Sequence, residues 1–152
     1  MSCHTITDAI VDDIPALLPL LDSLFNIEQD FQPDRDKQAR GLGRLIEASD
    51  RAVIKVAKTQ EGRLIGMVSA QLVISTAEGA YSVWIEDMVI VEEYRAQGIG
   101  RQLLQAALDW AYDKGATRAQ LLVDLDNTPA IGYYDHLGWE STRLGARRLY
   151  LK

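Results

Sequence analysis

The sequence predicts a mixed α/β fold, in which a mostly antiparallel sheet carries helices on both of its faces. Two observations lead to this prediction. Segments with apolar residues at helical spacing alternate with shorter apolar runs of strand type. Turn and cap residues divide these segments into the order β-α-α-β-β-β-α-β-α-β-β. A chain with this order buries the apolar faces of its helices against one central sheet.

The first strand is predicted over residues 5–10, and a helix follows it. Either Asp12 or Asp13 can cap this helix, because a carboxylate accepts hydrogen bonds from the first unpaired amides. Pro19 should bend the helix, since proline removes a backbone donor in the helix interior. The residues expected to face inward are Ile14, Leu17, Leu18, Leu21, Leu24 and Phe25.

A second helix is expected at about residues 35–48, after a loop over residues 26–34. Gly41 and Gly43 should weaken this helix by up to about 1 kcal/mol each, because glycine is a poor helix former. Its inward residues are expected to be Ala39, Leu42, Leu45 and Ile46.

Strand signals dominate the rest of the chain. Residues 51–59 and 63–75 are predicted to form a hairpin that turns at Glu61 and Gly62. A fourth strand over residues 81–91 leads to a long helix over residues 98–114, which Gly115 ends. The remaining predicted elements are a fifth strand over residues 119–125, a short helix over residues 129–136, and two closing strands near residues 139–144 and 146–151.

Length and composition indicate one globular domain over residues 1–152. The hydrophobic fraction is 47% and the charged fraction 25%, and no apolar run reaches the ~18 residues of a membrane span. No secretory signal is recognised, and Cys3 alone cannot form an internal disulfide, so a cytoplasmic protein is expected.

Charge and ligand chemistry exclude two classes of site. The net charge of −6 argues against nucleic-acid binding, which requires a basic surface. A metal site is not expected, because Cys3 and His4 are the only soft ligands that lie near each other in the sequence.

A glycine loop joins the fourth predicted strand to the long helix. Arg95, Gly98 and Gly100 are spaced Arg-x-x-Gly-x-Gly, and no Ser, Thr, Asp or Asn stands at the junction to cap the helix. The uncapped amides attract anions, so the simplest ligand is a phosphate or pyrophosphate, with a tight turn as the alternative. A Walker loop would need Gly-Lys-Ser/Thr, and a Rossmann fingerprint would need glycine where Leu103 stands.

A second motif follows the fifth predicted strand. Residues 127–139 read Asn-Thr-Pro-Ala-Ile-Gly-Tyr-Tyr-Asp-His-Leu-Gly-Trp. Together with the glycine loop about thirty residues earlier, this segment resembles the GCN5-related N-acetyltransferase (GNAT) superfamily, with Trp139 in place of the usual Phe. The close resemblance covers about residues 81–140. It implies a GNAT-like domain with a splay between the fourth and fifth strands.

The resemblance implies acetyl-CoA as co-substrate, without a metal. In the family, the pantetheine arm enters the splay and pairs with the fourth strand, while the loop amides and arginines hold the pyrophosphate. The cofactor-binding residues implied for this chain are Met88, Val89, Ile90, Val91, Arg95, Ala96, Gln97, Gly98, Ile99, Gly100, Arg101, Asn127, Ala130 and Tyr134. Asn127 can instead cap the short helix that follows it.

The resemblance also implies an acyltransferase that passes the acetyl group directly to a primary amine in a ternary complex. Glu86 is the expected general base, with Asp87 or a water molecule as alternatives. Tyr134 matches the position of the general acid, which protonates or hydrogen-bonds the departing sulfur.

Glu86 and Asp87 are adjacent, so a regular strand points them to opposite faces. The face of Glu86 is then expected to carry Trp84, Met88 and Ile90. The face of Asp87 is expected to carry Ile85, Val89 and Val91. A bulge in the strand would exchange the two faces.

The acceptor is expected to be a small-molecule amine or a peptide N-terminus, with no nucleic-acid or membrane partner, and a homodimer is the assembly considered. Residues 22–48, the loop at residues 75–81 and the closing hairpin near Gly145 are expected to hold it. Asp30, Asp34 and Asp36 suggest a cationic molecule. The alternative function is a non-catalytic acyl-CoA-binding or sensing module on the same fold. A nucleotide-binding domain is the third candidate function.

Overall fold

The computed structural model describes residues 4–27 and 32–151. The chain divides into two compact units, of which the first ends at Leu122 and the second begins at Val123. The single domain expected over residues 1–152 stays a prediction.

The first unit is built on a five-stranded sheet with the order β1-β2-β3-β4-β5. Neighbouring strands are antiparallel, except that β4 and β5 run parallel. A parallel pair needs a crossover connection, which is the long helix between these two strands. The strands are β1 (His4–Asp8), β2 (Ala52–Thr59), β3 (Leu64–Ser75), β4 (Ala80–Ile90) and β5 (Ala116–Leu121).

Three helices complete the first unit: α1 (Ile14–Ile27), α2 (Arg35–Glu47) and α3 (Ile99–Asp113). Their bounds agree with the sequence prediction to within one or two residues. The fifth strand is the poorest match, because it begins at Ala116 and ends at Leu121, before the expected residues 122–125. The hairpin turn is confirmed, since Gly62 has a φ of 88° between β2 and β3.

The helices cover both faces of the sheet, as the sequence predicts. On one face, α1 and α2 pack on β2, β3 and β4 through residues that include Leu17, Leu42, Met67 and Val89. On the other face lies α3. A Cβ added to Gly66 of β3 would come within 2.7 Å of Ile90 Cδ1 and 3.0 Å of Leu103 Cδ1, so a side chain there would displace the ends of these two side chains.

The start of the first helix differs from the prediction. A 3₁₀ turn (Val11–Asp13) precedes α1, and Ile10 is its N-cap residue. The buried Asp13 carboxylate reaches back to accept the Ile10 N–H at 2.9 Å, and it pairs with Lys58 Nζ at 2.7 Å. Burial opposes ionisation of Asp13, but the bonds from Lys58 and Ile10 outweigh it and hold the pKa below its usual range.

The second unit contains α4 (Thr128–His136), which confirms the predicted short helix. The two predicted closing strands are wrong, because residues 137–151 contain no strand. A segment of chain forms a stable strand only where a neighbouring strand supplies hydrogen-bond partners. Here Leu144, Leu149 and Tyr150 are 83%, 85% and 76% exposed. The Leu144 N–H donates to the nearby Thr142 hydroxyl at 3.3 Å, a local bond that replaces a ladder bond.

Within the part of the chain that the structure describes, no helix combines the length and apolar character needed to cross a membrane.

Candidate active site

A bulge interrupts β4 at the two adjacent carboxylates. Met67 of β3 pairs with Val89, and Ser69 pairs with Glu86, so Asp87 and Met88 together oppose a single residue. Two residues facing one is the definition of a β-bulge. Asp87 has a φ of 56°, a left-handed conformation that aspartate adopts more readily than most residues.

The bulge changes which side chains share a face. Glu86 lies opposite Ser69, which in turn lies opposite Ile54 of the α1–α2 core. Val89 belongs to the same core, whereas Ile90 lies beside Gly66 and Leu103 on the α3 face. The expected grouping of Glu86 with Ile90 is therefore wrong, and so is the expected placement of Val89 on the face opposite Glu86. The extra residue resets the alternation of the strand by one position.

The expected placement of Glu86 and Trp84 on one face is confirmed, because Trp84 Nε1 donates a hydrogen bond to Glu86 Oε1. The Glu86 side chain is exposed, and its backbone carbonyl accepts from the Ser69 hydroxyl at 3.1 Å. These contacts hold the backbone and the side chain of Glu86 in place on the sheet face that α1 and α2 cover. A proton acceptor at this position is accessible from solvent.

Asp87 lines an open cleft of about 250 Å³ between α1, α2 and β4. The apolar part of the lining consists of Leu21, Phe25, Leu42 and Leu45. Lys37, Gln38 and Gly41 of α2 complete it. Apart from Leu21 and Asp87, this lining belongs to residues 22–48, one of the segments expected from the sequence to hold the acceptor.

Hydrogen bonds between α1 and α2 hold the walls of the cleft. Asp22 accepts from Gln38 Nε2 at 3.0 Å and from Arg35 at 2.7 Å. The bond from Gln38, followed by the pairing with Arg35, lowers the pKa of Asp22, so this carboxylate stays ionised and keeps both partners at neutral pH.

Of the acidic residues expected to attract the acceptor, the two that the structure describes, Asp34 and Asp36, do not belong to the lining of the cleft. Asp34 is the N-cap of α2, and its carboxylate accepts from the Lys37 N–H at 3.2 Å. Asp36 is exposed in the first turn of α2, and Asp30 lies outside the described residues. No group of three or more His, Cys, Asp and Glu residues is placed to hold a metal ion in residues 4–27 and 32–151.

Within the described residues of the first unit, β4 has no strand partner on its β5 side next to the bulge. The pairing of β4 with β5 ends at Ile85 and Leu121, whereas β4 continues to Ile90. Val91 N–H donates to Ile65 O at 2.9 Å on the β3 side, so the backbone of Ile90 points to the other edge. There Arg95 Nε donates to Ile90 O at 2.9 Å. An unpaired strand edge offers N–H and C=O groups to an extended ligand.

The glycine loop leads from this open edge into α3. Ala96 and Gly98 have φ values of 62° and 83°, and Gly98 is the N-cap of α3 without a side-chain cap, as expected. The amides of Ile99, Gly100 and Arg101 precede Gln102 N–H, which bonds to Gly98 O at 3.1 Å. A helix start of this kind carries a partial positive charge and favours an anion.

The second motif lies in the second unit. Asn127 is the N-cap of α4, and its Oδ1 accepts from Ala130 N–H at 3.2 Å, which confirms the capping alternative. Tyr134 is half-buried, and its ring packs edge to face against Tyr133 and Trp139 at centroid distances of 5.6 and 5.8 Å. These contacts orient the Tyr134 ring within its own unit.

The chain was compared with known protein families, curated proteins and solved structures. The acetyltransferase (GNAT) family model matches residues 16–139, which include the bulge, the glycine loop and the Asn127 motif. N-alpha-acetyltransferase 30 of Schizosaccharomyces pombe is 41% identical over 56 residues, or 37% of each chain. The chain spans less than two thirds of the length of the first curated relatives that it matches.

Solved structures share the fold. A possible acetyltransferase from Clostridium difficile 630 superposes with a TM-score of 0.85 at 17% identity, covering 98% of both chains. An aminoglycoside N-acetyltransferase in complex with CoA has a TM-score of 0.80 at 19% identity, covering 100% of this chain and 95% of its own. The family model spans most of the sequence, from α1 to the end of the second motif, and the chain therefore belongs to the acetyltransferase (GNAT) family.

Proposed function

We propose that this protein transfers the acetyl group of acetyl-CoA to a primary amine by direct attack in a ternary complex. The observation that carries the proposal is the placement of an open β4 edge between a carboxylate-bearing bulge and an uncapped helix start. An extended donor needs the edge and the helix start, and an ammonium acceptor needs the carboxylates. Family membership, and the CoA bound to the aminoglycoside N-acetyltransferase of the same fold, support acetyl-CoA as the donor.

On the donor side, the pantetheine arm would hydrogen-bond the β4 backbone over residues 88–91. The pyrophosphate would lie on the loop amides from Ala96 to Arg101. Arg95 uses Nε to bond Ile90 O, which anchors its guanidinium at the point where strand and loop meet. From the family motif, Asn127, Ala130 and Tyr134 are assigned to the donor as well, with Asn127 acting through the α4 cap.

On the acceptor side, an alkylamine arrives protonated, because its pKa of about 10 lies well above neutral pH. Glu86 would take one proton, directly or through a water molecule, so that the nitrogen lone pair can attack the thioester carbonyl carbon. A β4 amide would stabilise the resulting oxyanion. As the C–S bond breaks, Tyr134 would hydrogen-bond or protonate the sulfur, and the nitrogen would release its second proton to the solvent, so that the products are the amide, CoA and a proton.

The proposal is tested by incubating the protein with acetyl-CoA and a panel of amines, while free CoA is followed with a thiol reagent and acetylated amine by mass spectrometry. Equal amounts of CoA and acetylated amine are expected. Tight binding of acetyl-CoA without CoA release from any amine would instead favour the non-catalytic binding module. A cytoplasmic location and a homodimer stay predictions from the sequence.

A further inference from the structure

The cleft beside Asp87 has a lining that restricts the acceptor. Its walls are the apolar side chains of Leu21, Phe25, Leu42 and Leu45. We propose that the acceptor is a monoamine with a compact apolar body, which packs on these walls while its ammonium group pairs with Asp87. The inference rests on the proposed acetyl transfer and names the chemical class of the acceptor.

The charges around the cleft favour one amine rather than several. Gln38 is neutral, and its Nε2 donates to Asp22 while its Oε1 accepts from Asp34 N–H at 2.7 Å. The charged residues in the lining are then Asp87 and Lys37. A single ammonium can pair with Asp87, whereas the further ammonium groups of a polyamine would meet Lys37 and apolar carbon at a desolvation cost.

The size of the cleft points to a small acceptor. Its volume of about 250 Å³ lies just below the range of about 300–1,000 Å³ that is typical of sites for drug-sized ligands. Apolar walls stabilise an apolar ligand by removing its surface from water. Hydroxyl or amide groups of a polar ligand would not gain this stabilisation.

Gly41 keeps part of this space open. It lies inside α2, where glycine is unfavourable, and it lines the cleft. A Cβ built at Gly41 meets nothing within 4 Å, and the same holds for Gly43 on the same helix. Gly43 is outside the cleft lining. A substitution at Gly43 therefore changes only the helix propensity of α2, whereas the same substitution at Gly41 also places a side chain in the cleft.

A larger depression of about 360 Å³ near the C-terminal end of α2 is less suited to an amine. Arg44 and Arg51 line it, and their guanidinium groups would repel an ammonium ion. The acceptor amine is therefore assigned to the cleft at Asp87.

The first experiment compares 2-phenylethylamine with spermidine as acceptors for the wild-type protein. We expect kcat/KM to be at least about tenfold higher for 2-phenylethylamine, which is the lower end of discrimination by an apolar pocket. Asp87→Asn should raise the KM for 2-phenylethylamine at least about tenfold with a smaller change in kcat. Asparagine tolerates the left-handed backbone at this position, so the bulge should be kept.

The second experiment uses the matched glycines. Gly41→Leu should fill the cleft and lower kcat/KM for 2-phenylethylamine at least about tenfold, whereas Gly43→Leu should leave it within about twofold of the wild type. Both variants should melt at or above the wild-type temperature, because leucine favours the helix. Equal effects of the two substitutions, or a preference for spermidine, would overturn the inference and leave acetyl transfer intact.

Direct binding separates this inference from the proposed function. Calorimetry with 2-phenylethylamine in the presence of CoA should show binding that Gly41→Leu and Asp87→Asn weaken. Such binding without acetylated product would reject the transfer reaction and keep the cleft as an amine site. Acetylation of 2-phenylethylamine that both variants leave unchanged would keep the transfer reaction and reject the cleft.

Discussion

Replacing Gly98 by valine tests the assignment of the glycine loop to the donor pyrophosphate. Gly98 has a φ of 83°, and a Cβ built there meets nothing within 4 Å. The cost of the substitution is therefore conformational and not a clash. A left-handed L-residue costs about 1–2 kcal/mol, which lowers Tm by roughly 2–8 °C in a chain of this size. That penalty is small beside the total stability of an ordinary domain, so the variant should stay folded.

The decrease in stabilisation by acetyl-CoA should be larger than the decrease in stability of the free protein. At a hundred times its Kd, acetyl-CoA should stabilise the wild-type protein by about 2.7 kcal/mol, or roughly 5–11 °C. Valine at position 98 either moves the amides at the start of α3 or occupies the open space in front of them. In both cases an anion loses its partners, and most of the acetyl-CoA shift should disappear. Gly100→Val should have the same effect on the shift.

Gly62→Val is the matched control for this experiment. Gly62 has a φ of 88°, meets nothing within 4 Å of a built Cβ, and lies in the hairpin turn between β2 and β3. Its substitution should lower the Tm of the free protein by a similar amount and leave the acetyl-CoA shift intact. The measurement is differential scanning fluorimetry with and without acetyl-CoA. A full shift in both Gly98→Val and Gly100→Val would refute the assignment of the loop to the pyrophosphate.

Three further predictions concern the proposed chemistry and the fold. Glu86→Gln should lower the rate most at low pH, where free amine is scarce, and leave CoA affinity nearly unchanged; if Asp87→Asn shows this rate profile instead, Asp87 is the base. Tyr134→Phe should lower turnover about ten- to a thousandfold with little change in acetyl-CoA binding, and a donor with a better thiol leaving group should recover much of the rate. Parallel losses of rate and acetyl-CoA affinity, equal for good and poor leaving groups, would make Tyr134 a packing residue. Because its folded pKa is lowered, the ionised Asp13 stabilises the fold above its unfolded pKa of about 3.9, and this contribution is lost as pH falls through the folded pKa. The free energies of unfolding of the wild type and Asp13→Asn, measured with denaturant, should therefore differ at neutral pH and become equal in acid. A difference that does not depend on pH would contradict a stabilising role of the Asp13–Lys58 pair.

Local signals in the sequence predicted most elements of the fold. The turn at Gly62, the uncapped start of α3 and the cap at Asn127 depend on residues within a few positions of one another, so they could be read without knowledge of the sheet. The same holds for the two GNAT motifs, because a glycine loop before a helix and a short capped helix are each formed by a continuous stretch of chain.

Tertiary structure decided the features that depend on partners far away in the sequence. The bulge exists because Asp87 and Met88 oppose a single residue of β3, and only the strand register reveals this count. The two closing strands are wrong for the same reason, since residues 139–151 can form strands only where another strand edge pairs with them.

The cleft shows the same division for the site. From the sequence, Gly41 was a weak point of a helix, and Glu86 and Asp87 were adjacent acids on opposite faces of a strand. In the folded chain, the bulge shifts the alternation of β4 by one residue. Gly41 and Asp87 then line the same cleft between α1, α2 and β4. The sequence by itself determined the family and the chemical groups that are present. Only the packing of three distant segments decided which of these groups face the same space, because side-chain direction in a strand depends on its register with a neighbour.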